Sequence, residues 1–390
     1  MNLKKWFVRW GIPVVLLAVF VIFTVYINQV DKVALVNREG QTFEKGVVTE
    51  ILQDNLQPNG TRVGEQRVLV RLTTGVRAGQ ELETTSASGF LFGAGCTVGM
   101  RVVVMQSVAG DSTITSVYSQ DREWVIYAFA AAYLVVLCLV GGKQGIKGAL
   151  GLVFTFFCIL FVYLPLVYRG LSPFWVSVFI CVITTLVTMY LIGGPTRKTL
   201  VATGGTVAGV VIAGISATIF SMATGITGWN VSDIESLLTL ASTSGVQVGG
   251  LLFSGLLISS LGAVMDVAMS IGSAIAEIHA QNPALSRGEL FKAGMHVGRD
   301  MMGTDSNTLI LAFAGGSISM LVLDYAYSLP YQQIINSNNI GIAIMQGLSG
   351  SFGIVLAVPV TVALAVALYT WKRPNRAETA PAEDASRQTR

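Results

Sequence analysis

Uncharged apolar runs separated by short charged segments fill most of this chain, and they predict membrane-spanning helices. A helix needs about 20 mostly apolar residues to cross a bilayer. Eight runs approach or reach that length, and they cover residues 10–30, 124–141, 148–168, 171–193, 200–222, 246–265, 306–323 and 349–371. The pattern therefore predicts a membrane protein built as an α-helical bundle of about eight transmembrane helices.

Residues 31–123, between the first and second runs, alternate apolar and polar positions instead. The alternation is clearest over 46–51, 66–73, 99–106 and 112–118, with breaks rich in Gly and Asn between these segments. A period of two residues indicates half-buried β-strands. We therefore predict a small β-rich domain, a barrel or sandwich of about five or six strands, inserted between the first two helices.

These patterns of apolar and polar residues divide the chain into four parts. Residues 1–30 are predicted to form a cytoplasmic N-terminus and transmembrane anchor, 31–123 the β-rich domain, and 124–372 a seven-helix membrane domain. Residues 373–390 are rich in Ala, Glu, Pro and Arg, which predicts a disordered cytoplasmic tail. The first run lacks the small-residue cleavage pattern of a signal peptide, so we expect it to remain as an anchor.

Basic residues give the chain an orientation, since cytoplasmic loops carry an excess of Lys and Arg. The predicted loops on one side of the membrane hold Lys143, Lys147, Arg197, Lys198, Arg287, Lys292 and Arg299. The short predicted loops on the other side hold only Arg169. Both termini are therefore predicted to be cytoplasmic, with residues 31–123 outside.

Composition agrees with a membrane protein and narrows the functions open to it. The chain is 52% hydrophobic and 12% charged, whereas soluble domains carry about 25% charged residues. The net charge is +3 with no dense basic stripe, so we expect no nucleic-acid partner. Four cysteines and two histidines form no CxxC or other metal-ligand spacing, so we expect neither a metal nor a cofactor.

The β-rich domain contains two further features of chemical interest. Cys96 is isolated in a polar region, and we expect its thiol to be buried rather than reactive. Five arginines could face anionic components of the cell envelope or simply form a solvated strand face, and both interpretations stay open. These arginines are Arg62, Arg67, Arg71, Arg77 and Arg101.

Two polar stripes border the most apolar helices. Asp266, Ser270, Ser273 and Glu277 follow i, i+4, i+7 and i+11, so they share one helical face. A second stripe, which contains Asp300, Thr304 and Asn307, leads directly into the run 306–323. Charges this close to a span are unexpected, because a charge within a membrane costs roughly 2.5–3.5 kcal/mol. A short loop with a capping box at Ser286–Glu289 separates the stripes. The predicted site is Asp266, Ser270, Ser273, Arg299, Asp300, Thr304 and Asn307.

Two interpretations of these stripes remain. Carboxylate, hydroxyl and amide oxygens suit a hard cation, a proton or a polar solute. In that case Asp300 would be the coupling carboxylate, and Arg299 would tune it. Alternatively, an ion pair such as Asp266 with Arg299 would pin the two helices together without any role in function.

The same region resembles a known family. The stretches LGAVMDVAMSIGSAIAEI (261–278), NPALSRGELFKAGMHVGRDMMGT (282–304) and NTLILAFAGG (307–316) are similar to the YibE/F-like family of bacterial multipass membrane proteins. That family has an apolar residue, usually Met, at the position of Asp305, so Asp266 and Asp300 are the matched carboxylates. The resemblance implies a bacterial plasma (inner) membrane location and a transport-like role. It also implies a hetero-oligomer with a related membrane protein as one arrangement, and a homo-oligomer is the other arrangement that stays open.

These observations favour a permease or channel-like transporter of a small polar solute or ion. The alternative is a cell-envelope scaffold or sensor whose extracytoplasmic domain binds a partner, as the size of residues 31–123 allows. A third hypothesis is an intramembrane enzyme that uses two aspartates as acid and base. Because no recognisable nucleophile or metal set accompanies them, we expect no enzyme.

Overall fold

The structure is a computed structural model that describes residues 12–30, 40–87, 93–109, 112–231 and 233–370. It divides into two compact units, Ala34–Val140 on the one hand and Met1–Val33 with Gly141–Arg390 on the other. The predicted cytoplasmic tail, 373–390, and the start of the predicted anchor lie outside the described residues.

The first unit contains a closed five-stranded barrel. Its strands follow the order β1-β2-β3-β5-β4, and every pairing is antiparallel except that of β3 with β5. The choice left open between barrel and sandwich is thereby settled. The strands are β1 (Gln41–Gln53), β2 (Gln66–Leu72), β3 (Glu81–Ser86), β4 (Arg101–Ala109) and β5 (Ser112–Gln120).

Strand β3 is the one that the hydrophobic pattern did not indicate. Its sequence is ELETTS, and its buried positions are Thr84 and Ser86 rather than apolar residues. The Ser86 hydroxyl compensates by donating to the carbonyl of Ala94 and accepting from the Ala94 amide. A strand with a polar inner face has no apolar alternation by which it could be recognised.

The barrel interior is a small apolar core around a buried thiol. Val68, Val70, Val102 and Val104 are fully buried, and so is Cys96. Cys96 is a free cysteine, and burial raises the pKa of its thiol. The expectation that this thiol is buried is therefore confirmed, and its high pKa makes it a poor nucleophile.

The second unit is helical. Helix α2 begins in the first unit and continues into the second. Two short elements lie between the α-helices, a π-helix at Ile159–Tyr163 and a 3₁₀ turn at Val248–Gly250. The helices are α1 (Ile12–Asn28), α2 (Glu123–Cys158), α3 (Leu164–Tyr168), α4 (Pro173–Gly193), α5 (Arg197–Thr224), α6 (Ile234–Ser244), α7 (Leu251–Gln281), α8 (Arg287–Gly316), α9 (Ile318–Ala326), α10 (Tyr331–Ile335) and α11 (Asn338–Thr370).

Among the described residues, five helical segments are long and apolar enough to cross a membrane. The pair α8–α9 makes a sixth if it counts as one span, with a bend of 56° at its break. These helices confirm a membrane protein, but eight separate spans are not confirmed. The five segments are Glu123–Tyr168, Pro173–Gly193, Arg197–Thr224, Val248–Gln281 and Asn338–Thr370.

Two causes account for the difference in number. The predicted spans 124–141 and 148–168 fall within one 46-residue helical segment, with Gly142 as its non-helical residue at φ 52°. Gly142 marks a kink between two helices that are counted together as one segment, so the count of five is compatible with two spans here. In addition, the predicted span 10–30 begins outside the described residues, and its described helix, α1, has 17 residues and is not counted.

Helix α11 lies at the centre of the helical unit, packed against α5, α7 and α8. Gly209 of α5 and Gly353 of α11 allow the closest approach. A Cβ added to Gly353 would lie 2.7 Å from the carbonyl oxygen of Gly209. Val264, Ile271 and Val358 fill the neighbouring core, where each is fully buried. This packing fixes which faces of α7 and α8 turn inward.

Candidate functional site on the α7–α8 hairpin

Local sequence explains why α8 begins where it does. The Ser286 hydroxyl accepts a hydrogen bond from the Glu289 amide at 3.3 Å, and the Glu289 carboxylate accepts one from the Ser286 amide at 2.8 Å. This is the capping box that the sequence predicted. It ends the short connection after α7 and turns α8 back along it.

Two glycines set the register between α7 and α8. Gly298 lies against Ile271, and Gly294 lies against Ile275, with α11 side chains on the other side of each glycine. The sequence numbers of these pairs have the same sum, as expected for antiparallel helices. Continuing the register places Asp266 level with Gly303, between Asp300 and Asn307. The two polar stripes therefore lie at the same level of one hairpin.

The stripes face away from the bundle. On α8, Leu290, Gly294, Gly298 and Leu309 are the buried positions. Arg299, Asp300, Thr304 and Asn307 lie on the opposite side and are exposed. On α7, Asp266 is exposed, while Ser270 and Ser273 are half-buried. All seven predicted residues thus lie on or beside the uncovered side of the hairpin.

Most of these side chains have no partner within the chain. The Ser273 hydroxyl donates to the carbonyl of Met269 at 2.6 Å, an ordinary intrahelical bond. Within the described ranges, no hydrogen bond or ion pair involves the side chains of the other six. Their polar groups are therefore available to a ligand, to water or to another chain.

Asp305 lies on α8 beside the second polar stripe. It is half-buried, and its carboxylate lies close enough to Asp266 for the two charges to repel each other. The described part of the hairpin contains no ion pair between Asp266 and Arg299. This ion pair therefore does not hold the two helices together in the structure, and the charge that acts on Asp266 is that of another carboxylate, Asp305.

The described residues contain no group of three or more His, Cys, Asp or Glu side chains that could hold a metal ion. The chemistry available at the hairpin is thus that of isolated carboxylates, hydroxyls, an amide and a guanidinium.

A family model described as YibE/F-like protein matches residues 129–371. The chain belongs to the YibE/F-like family. The match covers both polar stripes and all of α3 to α11, whereas the barrel strands lie outside it. No curated protein and no solved structure matches the chain.

Within the YibE/F-like region, the structure shows a break that sequence reasoning missed. Helix α8 ends at Gly316, and α9 continues from Ile318 with a bend of 56°. Asp324 of α9 is 9% exposed and accepts no hydrogen bond to its carboxylate from any described residue. In the sequence it only marks the end of an apolar run, so no pattern set it apart.

A second missed feature is a buried hydroxyl pair. Tyr163, at the end of the π-helix, hydrogen-bonds through its hydroxyl to that of Ser254 on α7. Both residues are buried among apolar neighbours. Single-turn π-helices are frequent at functional sites, but a lone Tyr and Ser 91 positions apart give no recognisable pattern in the sequence.

Proposed function

We propose that this protein is a permease or channel-like transporter of a small polar solute or ion, with its pathway along the uncovered face of α7–α8. The observation that carries the proposal is the row of unpartnered polar groups on membrane helices. Asp266, Asp300 and Thr304 all lie on that face. Ionisable groups in membrane helices normally face a bundle interior or a water-filled path, because lipid cannot solvate them.

Small residues leave room beside these polar groups. Gly255 and Gly262 of α7 and Gly303 of α8 have no atom within 4 Å of an added Cβ. Ser259 extends the same uncovered side of α7. A track of glycine and serine that ends at carboxylates provides a smooth route for a hydrated ion or a polar solute.

The break between α8 and α9 supports the same proposal. Discontinuous helices in transporters expose backbone groups and provide points of bending. Here the break comes after Gly316, on the same helix as the polar stripe and nine residues beyond Asn307. We assign Asp300 as the coupling carboxylate and Arg299 as the residue that tunes it. Asp266 and Asp305 form a second acidic element whose mutual repulsion a passing cation or proton would relieve.

A second protein surface is part of the proposal, since the polar face is uncovered in one chain. We propose that a second copy of this chain covers it. Adjacent charges of opposite sign at Arg299 and Asp300 make the face self-complementary across a two-fold axis. A related membrane protein is the other partner that could cover the face.

We further propose a bacterial plasma membrane location with both termini cytoplasmic and residues 31–123 outside. The distribution of Lys and Arg supports this orientation. Single cysteines at Asn230 and Gly288, in separate variants, would test it with a membrane-impermeant maleimide on intact cells. The orientation requires labelling at position 230 and none at position 288 until the membrane is opened.

The decisive experiment is a metabolite and metal-ion inventory of cells that lack this protein, complemented with wild type, Asp300→Asn or Asp233→Asn. Asp233 is also exposed, but it lies outside the hairpin, just before α6, and gives the same change of charge. We expect one solute pool to change on deletion. Wild type and Asp233→Asn should restore it, whereas Asp300→Asn should leave at least about a tenfold defect in flux.

Normal expression of Asp300→Asn with full restoration of the pool would contradict the role of that carboxylate. If no pool changes on deletion, the transport proposal itself fails.

The scaffold or sensor alternative has an observation of its own. Phe43 and Tyr118 lie side by side on the outer surface of the barrel, with ring centroids 5.2 Å apart, and each is more than 40% exposed. Exposed aromatic pairs are typical of binding surfaces. Deleting residues 31–123 separates the two functions, because a scaffold would lose all activity while a transporter core would retain flux.

A further inference from the structure

A cavity of about 450 Å³ lies in the first unit, where the barrel connects to α2. Strand β5 ends at Gln120, and α2 begins three residues later at Glu123. The amide of Asp121 donates to the carbonyl of Arg101 at 2.9 Å, which ties this connection to the start of β4. The cavity is therefore bounded by the barrel on one side and by the first turns of α2 on the other.

Four charged side chains line this cavity, two of each sign. Lys45 binds the carboxylate of Glu123, and its ammonium lies 3.9 Å from the Asp121 carboxylate. The hydrogen bond with Glu123 raises the pKa of Lys45, so this residue stays charged. Asp121 is only 12% exposed, and its other oxygen caps α2 by accepting from the Glu123 amide.

Of the two cations that line the cavity, Arg101 is the one without a carboxylate partner among the described residues. On the same barrel, Arg62 pairs with Asp54, Arg67 with Glu83 and Arg71 with Glu81. No described acidic residue lies within ion-pair distance of Arg101, which is exposed at the cavity. A guanidinium in this state can offer two parallel N–H donors to an oxyanion.

The sequence after the cavity places it at the surface of the membrane. Trp124 and Tyr127 line it, and they are 73% and 61% exposed. They open the apolar run 124–141, and Trp and Tyr at the start of a span lie at the headgroup level of a bilayer. The molecules present at that level are phospholipids, so the cavity opens toward phosphate groups.

We propose that this cavity binds a phospholipid headgroup that carries both a phosphate and a primary amine, as in phosphatidylethanolamine. Arg101 holds the phosphate, and the Asp121 carboxylate accepts a hydrogen bond from the ammonium. The four charges of the cavity sum to zero, which matches a zwitterion. With a headgroup of net negative charge, Arg101 would hold the phosphate and Lys45 would remain paired with Glu123, which leaves Asp121 without a cation of its own. A quaternary ammonium has no N–H to donate to Asp121.

The test measures lipid retention on the purified full-length protein by native mass spectrometry. Phosphatidylethanolamine, phosphatidylcholine and phosphatidylglycerol are added separately at matched concentrations. We expect wild type to retain the first about tenfold more than either of the others. Arg101→Gln should lose about tenfold in retention, whereas Arg67→Gln, which removes an arginine elsewhere on the barrel, should match wild type.

Asp121→Asn is a second variant that keeps the oxygen that caps α2. It should retain phospholipid but lose the preference for ethanolamine over choline. Equal retention by Arg101→Gln and Arg67→Gln, or equal binding of all three lipids to wild type, would overturn the proposal. If Arg101→Gln does not fold, Arg101→Lys should still bind severalfold less, because an ammonium cannot form the paired hydrogen bonds.

Discussion

The carboxylates of this protein differ in whether neighbouring groups donate hydrogen bonds to them. In the barrel, the fully buried Gln66 donates to Asp54 at 2.8 Å and accepts from the Cys96 amide at 2.7 Å. Arg62 donates to the same Asp54 oxygen at 2.7 Å. On the hairpin, Asp266 and Asp300 have no such donors. A carboxylate that accepts several hydrogen bonds has a structural role, and one left unbonded in a membrane helix is a candidate for function.

The bonded carboxylate leads to a pH-dependent prediction. The hydrogen bond from Gln66, followed by that from Arg62, lowers the pKa of Asp54 below its ordinary value of 3.8. A lowered folded-state pKa stabilises the barrel above the unfolded pKa, and this contribution is lost as the pH falls through the folded pKa. Asp54→Asn should therefore weaken amide protection in β2 at pH about 7, and this effect should disappear at a second pH that lies below the folded pKa of Asp54.

Hydrogen exchange of peptides that cover 66–72, in the full-length protein at both pH values, measures this effect. Glu81→Gln is the control, since it breaks an exposed pair with Arg71 and should change protection little. The explanation fails if Asp54→Asn weakens protection equally at both pH values.

At the scale of elements, glycines decide how closely helices approach. A Cβ on Gly209 would lie 2.5 Å from Val264 and 2.8 Å from Ala357, and one on Gly205 would lie 2.0 Å from Thr361. Close approach through small residues is typical of helix packing in membranes. By contrast, Gly255 and Gly262 have open space around them. Spacings of four residues in α5 and seven residues in α7 both place glycines on one helical face, so only the contacts distinguish packing glycines from those on the uncovered face.

Substitution at the α5–α11 contact follows directly. Gly209→Ala should lower the free energy of unfolding by about 1–3 kcal/mol, because the added methyl group overlaps fixed neighbours. Gly148→Ala is the matched control in α2, where no atom lies within 4 Å of the new Cβ. Thermal unfolding of both variants in the same detergent measures the difference. Equal stability of the two would contradict the packing seen between α5 and α11.

At the scale of the whole molecule, the main feature is a polar surface that one chain leaves uncovered. Arg299, Asp300, Thr304 and Asn307 are exposed on α8. The opposite side of that helix packs on α7 and α11. Polar groups of this kind are unfavourable in contact with lipid, and the partner that we propose would cover them.

Cross-linking tests whether that partner is a second copy. Thr304→Cys in a Cys138→Ser background should give a dimer in native membranes with a short bis-maleimide reagent. Leu200→Cys is the control, since Leu200 is 64% exposed on α5, away from the hairpin, and should stay monomeric. A cross-linked product of another mass would indicate a different partner, and no product at position 304 would contradict a covered face.

Patterns within short stretches of sequence are sufficient for much of this architecture. Apolar runs predict α4, α5, α7 and α11 because a span must be apolar along its whole length. Alternation predicts four of the five strands, and Ser286 with Glu289 predicts the start of α8, since these signals involve only neighbouring residues. The family is also evident from local motifs around Asp266 and Asp300.

The tertiary structure decides what depends on distant residues. One example is β3, whose inner face is polar, so that only its pairing with β2 and β5 makes it a strand of the barrel. It places Asp266 beside Asp305 rather than Arg299, because Gly294 and Gly298 fix the register of α7 and α8. It also leaves the polar stripes uncovered. Sequence periodicity identifies a face of a helix, but long-range packing alone determines what that face meets.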